Sequence, residues 1–156
     1  MERREFMHKG GSAAALGLAA AAGLAPVGAS AQNAPGWTEA AFKSKSLNDA
    51  VKALGGSAPT ESKDLVLQAP EIAENGAVVR IGAQSNIAGT TQLAFVIEKN
   101  PDVLAAVFNI PAGTDTSVST NVKMAQSSNI YAVAKAGDKF FYAVKEVKVT
   151  LGGCGG

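Results

Sequence analysis

The chain has 156 residues, 14 Lys and Arg against 13 Asp and Glu, and a 47% hydrophobic content. That size suits one domain with a sizeable core, and so even a charge balance leaves no electrostatic footprint for nucleic acid or an anionic membrane. A single cysteine and a single histidine leave zinc, haem and iron–sulfur chemistry without enough ligands, so neither metal nor cofactor is expected.

Residues 1–31 read as an export signal. Arg3 and Arg4 are followed by Phe6-Met7 and Lys9, then by an Ala-rich apolar run from Ser12 to Leu24. Ala29-Ser30-Ala31 supplies a small-x-small cleavage site. This order defines a signal peptide, and the paired arginines point to the twin-arginine (Tat) route. A membrane-spanning helix fits less well, because the apolar run is short, weakly hydrophobic and broken by Pro26. Cleavage after Ala31 removes Arg3, Arg4, Lys9, Glu2, Glu5 and His8, leaving 11 basic and 11 acidic residues, with Arg80 the only arginine. The expected location is the periplasm, with no membrane attachment after cleavage. Tat substrates fold before export, commonly around a cofactor or partner. With no cofactor motif here, acquisition of a partner is the more economical reason for that route.

Residues 32–62 read as a linker entering a helical segment. Ser46 is placed to cap a helix, with Asp49 at the capping-box position. Leu47, Ala50, Val51 and Leu54 form one apolar stripe, and Gly55-Gly56 ends the helix. Trp37 and Phe42 are expected to pack beside that stripe rather than to form an exposed aromatic docking site.

Residues 63–151 change character. Runs of strand-forming residues occur at Lys63–Gln68, Ala77–Ala83, Gln92–Glu98, Leu104–Ile110, Ser117–Ala125, Asn129–Ala134 and Phe140–Leu151. Asn75-Gly76, Pro70, Asn100-Pro101 and Pro111 punctuate them. Seven such runs predict a mainly β fold: an immunoglobulin-like antiparallel β-sandwich with a short N-terminal helical segment and a flexible C-terminal arm. "Immunoglobulin-like" is architectural only, because the Cys…Trp…Cys signature is missing. A break in alternation at Lys145-Glu146 predicts a β-bulge. The apolar stretches Leu93–Ile97 and Leu104–Ile110 are long for so small a domain, and one of them is expected to help cover a partner contact.

Residues 152–156 read Gly152-Gly153-Cys154-Gly155-Gly156. Glycine lacks a Cβ, so four of them around one thiol predict a narrow swinging arm hung from the last strand. A lone cysteine is usually buried and inert, but these neighbours offer no apolar surface to bury it. Catalysis within the chain is not expected, because no histidine remains to activate the thiol. Lys145 and Lys148 lie near the base of the arm in sequence, where a solvated strand face is the expected role. Prenylation needs three residues after the cysteine, and a thioredoxin-like role needs a second thiol; both are missing. Cys154 therefore reads as a carrier or acceptor that must be activated by whatever receives the arm, not as a catalytic residue.

With its twin-arginine signal, β-rich body and terminal Gly-Gly-Cys-Gly-Gly, the chain resembles the SoxY family, the sulfur-carrier subunits of SoxYZ complexes. The two ends carry the resemblance. It implies a periplasmic carrier that is not itself an enzyme and holds thiosulfate-derived sulfur on Cys154. It also implies a heterodimer with a SoxZ-like subunit and an immunoglobulin-like fold. Transient partners would be a haem-containing sulfur transferase, a sulfate-releasing hydrolase and a sulfane dehydrogenase. Two other readings are a carrier using Gly156 as a thiocarboxylate, and an exported β-sandwich binding or structural module dimerised through a Cys154 disulfide. The export signal and Cys154 itself argue against the thiocarboxylate.

Overall fold

The computed structural model of the protein describes residues 38–152. The export-signal residues Arg3, Arg4, Phe6, Ala29 and Ala31, together with Trp37 and the tail residues Gly153, Cys154, Gly155 and Gly156, lie outside the described residues. Among the described residues two short helices come first, α1 (Glu39–Phe42) and α2 (Leu47–Ala53). Nine strands follow: β1 (Thr60–Glu61), β2 (Leu65–Gln68), β3 (Ile72–Ala73), β4 (Val79–Ser85), β5 (Thr90–Ile97), β6 (Leu104–Asn109), β7 (Ser117–Val122), β8 (Ser128–Ala136) and β9 (Lys139–Val149).

Helix α2 is bounded as its sequence predicts. The Ser46 hydroxyl accepts from the Asp49 N–H at 3.1 Å, which satisfies one free donor of the first turn. At the other end the Gly56 N–H donates to Val51 O and the Gly55 N–H to Lys52 O, at 2.9 and 3.0 Å. With Gly55 at φ +91, this is the Schellman arrangement, which needs a left-handed residue after the helix. Phe42 packs with Leu47 and Leu54 against the same core.

The strands form a sandwich. One sheet runs β1-β9-β8-β5-β6, with β3 also paired to β9, and the other runs β2-β4-β7. The seven predicted runs correspond to β2 and β4 through β9, all paired antiparallel among themselves. The two extra strands, β1 and β3, pair parallel with β9, through Thr60↔Phe141 and Ile72↔Lys148. At two residues each they are too short to show an alternating pattern.

Two cores explain the sequence pattern. Between the sheets pack Ile81, Leu93, Phe95, Ile97, Met124, Ile130 and Val147, and between the larger sheet and the helices pack Val51, Ala94, Val96, Val103, Val133 and Phe140. Strand β5 contributes to both, so its run Leu93–Ile97 is apolar throughout and buried throughout. This stretch therefore serves the interior and offers no partner surface. The other long run, on β6, ends the larger sheet, and its Ala106, Val107 and Phe108 are only half-buried.

The bulge predicted at Lys145-Glu146 is absent. Register between β8 and β9 is unbroken from Ala136↔Lys139 to Ser128↔Val147. The alternation changes there because coverage changes. The helical layer buries the face bearing Phe140 and Tyr142, but Val144 on that face is exposed. On the opposite face Lys145 stands opposite Ile130 and donates its Nζ to the Ala69 carbonyl at 2.6 Å. The true irregularities are in β5, where register shifts between Thr90 and Gln92 against β8 and between Phe95 and Val96 against β6.

Candidate functional site

The described part of the predicted site is the root from which the tail leaves β9. Alternation along β9 stops at Val149, and Thr150, Leu151 and Gly152 continue as irregular chain. Two loops bracket these three residues. On one side the Thr150 N–H donates to the Ala73 carbonyl at 3.1 Å and its hydroxyl to the Glu74 carbonyl at 2.9 Å. The Gly76 N–H then donates to the Leu151 carbonyl at 2.7 Å, while the Gly76 carbonyl accepts from the Met124 N–H at 2.7 Å. Asn75 shapes this loop by accepting the Ala77 N–H on its side-chain oxygen at 2.8 Å.

The second loop follows β7. Ser127 accepts the Val149 N–H on its hydroxyl at 2.8 Å. Asn100 holds the neighbouring segment with both ends of its amide: Oδ1 accepts the Ala125 N–H at 2.9 Å, and Nδ2 donates to the Lys123 carbonyl at 2.8 Å. The Ala125 carbonyl oxygen lies beside Gly152, 2.5 Å from where a Cβ on that glycine would sit. Gly152 and Leu151 are nonetheless exposed, so the root sits at the surface.

The predicted residues separate accordingly. Gly152 is placed at the root, and the other arm residues lie outside the described part. Of the two lysines near the base, Lys145 is tied to Ala69 in a structural contact and Lys148 is exposed on β9. The sequence marks Asn75-Gly76 as a turn but not its hold on the C-terminal segment, and it marks Asn100 only as a strand-ending signal and Ala125 only as the end of a strand-forming run. Nothing local marks those contacts, which join residues far apart in the chain. Among the described residues no group of three or more His, Cys, Asp or Glu is placed to hold a metal ion. Nor is any described helix long and apolar enough to cross a membrane.

The model of the family described as sulfur oxidation protein SoxY matches residues 50–154, a span that takes in the last four residues of α2, every described strand, the root and Cys154. The chain belongs to the SoxY family. A solved SoxY, the sulfur carrier protein from Chlorobium limicola f thiosulfatophilum, is 39% identical with a TM-score of 0.61. The similarity covers 67% of this chain and 96% of that SoxY. A superoxide reductase (neelaredoxin) from Ignicoccus hospitalis is 19% identical with a TM-score of 0.47, over 63% of this chain and 86% of that one. No curated protein matches the chain.

Proposed function

We propose that this SoxY-family chain is a periplasmic sulfur carrier, exported by the Tat pathway, that holds thiosulfate-derived sulfur on Cys154. The observation that carries the reading is the family match running through residue 154, immediately beyond a root held by two loops. In loading, the Cys154 thiol and thiosulfate join through a new S–S bond to give Cys–S–S–SO3⁻. One proton and two electrons leave, the electrons passing to a haem-containing transferase. In unloading, water attacks the terminal sulfonate sulfur, sulfate and two protons depart, and Cys154 keeps one sulfur as Cys–S–S⁻. A sulfane dehydrogenase then takes six electrons from that outer sulfur while three waters supply oxygen and six protons leave, giving Cys–S–SO3⁻.

The division of labour follows from the chemistry of the tail. An unperturbed thiol with a pKa of about 8.5 is a few per cent ionised at neutral pH, so activation falls to the enzyme that receives it. Covalent attachment keeps reactive sulfur from diffusing away. Ordering a glycine-rich tail in a pocket costs about 1–2 kcal/mol per residue, which keeps docking weak and release fast. A SoxZ-like subunit is the expected stable partner, with β6 as its contact. That strand ends its sheet, and an open groove of about 290 Å³ beside it is lined by Ala105, Ala106, Thr120 and Lys123.

Intact mass tests the reading. After incubation with thiosulfate and the haem-containing transferase, the mature protein should gain one thiosulfate unit on Cys154, and the Cys154→Ser variant none. A sulfur addition mapped to Gly156, or only the mass of a disulfide dimer, would replace this proposal with one of its two rivals.

A further inference from the structure

We propose that Gly152 is a positioning residue, glycine because it must fit against the Ala125 carbonyl, and that the bracketed root aims the thiol. The inference rests on the carrier reading and adds a distinction invisible in the sequence, where the arm glycines look alike. A Cβ on Gly152 would stand 2.5 Å from the Ala125 oxygen, closer than real Cβ atoms approach. The atom in the way belongs to backbone, so no side-chain rotation relieves it. Nor is that backbone free to yield, because Asn100 holds the Ala125 N–H and the Lys123 carbonyl. On the other flank Gly76 ties the Leu151 carbonyl to Met124, so the residue before Gly152 is held as well.

The pivot is therefore Gly152 itself, not the end of β9. From there to Cys154 the chain spans two residues, a reach of at most about 7 Å. With so short a lever, the direction in which Gly152 leaves the surface decides which enzyme pockets the thiol can enter. A displacement of the root by an ångström reaches the thiol through only two residues, and misplacement on that scale slows reactions between positioned groups.

The test uses the full mature chain and two readouts. The first is the distance distribution between nitroxide labels on Cys154 and on Gln84→Cys, an exposed position of β4. Gly152→Ala should shift or broaden that distribution, and Gly153→Ala should leave it as in the parent. The second is kcat/KM for thiosulfate loading by the haem-containing transferase. It should fall roughly ten- to a hundredfold for Gly152→Ala, as expected for small misplacements of a reacting group. Gly153→Ala should lose far less. Alkylation of Cys154 by iodoacetamide should be the same in all variants, since the thiol itself is unaltered. Asn100→Ala, which releases Ala125 without adding an atom, should move both readouts in the same direction and decides the matter if Gly152→Ala fails to fold. Unchanged distances and loading in Gly152→Ala, or equal losses in the Gly152 and Gly153 variants, would overturn the proposal; where Gly152→Ala does not fold, unchanged readouts in Asn100→Ala would do so. Failure of the parent to take up sulfur would instead sink the carrier reading, while the label distances would still report on the root.

Discussion

Gly55 and Gly56 stand together at the end of α2, and substituting each by alanine should cost stability for different reasons. Gly55 has φ +91 and open space around it, so Gly55→Ala meets no atom but holds an L-residue in the left-handed region. That costs roughly 1–2 kcal/mol. A Cβ on Gly56 would lie 2.4 and 2.5 Å from two ring carbons of Phe140 and 2.7 Å from Val51 Cγ1. Both neighbours are buried, so Gly56→Ala overpacks the helix–sheet core and should cost about 1–3 kcal/mol. Because the totals overlap, the diagnostic is coupling. Phe140→Leu shortens the ring side chain and frees its tip to turn away. It should therefore make Gly56→Ala less damaging by about 0.5–3 kcal/mol and leave the cost of Gly55→Ala unchanged. Urea denaturation followed by far-ultraviolet circular dichroism measures each variant, provided the slope stays constant across the set. Rescue of Gly55→Ala by Phe140→Leu, with none for Gly56→Ala, would refute the assignment.

Cys154→Ser should abolish sulfur loading while leaving the unfolding free energy within about 0.5 kcal/mol of the parent, as expected for a conservative change flanked in sequence by glycines that supply no apolar cover. Phe95, fully buried and edge-on to Phe108 at 6.2 Å, should cost about 3–5 kcal/mol as Phe95→Ala; a loss under about 1 kcal/mol would contradict the central place given to β5. On β6 the exposed Ala105→Glu should weaken association with a SoxZ-like subunit at least about tenfold, equivalent to 1.4 kcal/mol, with an unchanged melting temperature. Size-exclusion chromatography of the mixed subunits reads that out, and undiminished association would move the interface elsewhere. Replacing Arg3 and Arg4 together with Lys should leave precursor in the cytoplasm, whereas normal export would refute the Tat assignment.

Much of the fold was legible from residue order because its causes are local. Alternation placed β7, continuous apolar runs placed β5 and β6, and Ser46 with Gly55 bounded α2 through bonds that span only a few residues. The lone cysteine among glycines singles out the tail from the sequence alone. Tertiary structure decided what depends on distant neighbours. The Lys145-Glu146 break became a change of cover instead of a bulge, because the helical layer covers Phe140 and Tyr142 but leaves Val144 exposed. Strands β1 and β3 exist because β9 offers an edge on which two residues suffice to pair. Gly56 and Gly152, identical in sequence to their neighbours Gly55 and Gly153, were set apart by the Phe140 ring and the Ala125 carbonyl. A missing Cβ announces itself in the sequence, but whether it supplies a backbone angle or makes room depends on which atom the fold brings beside it.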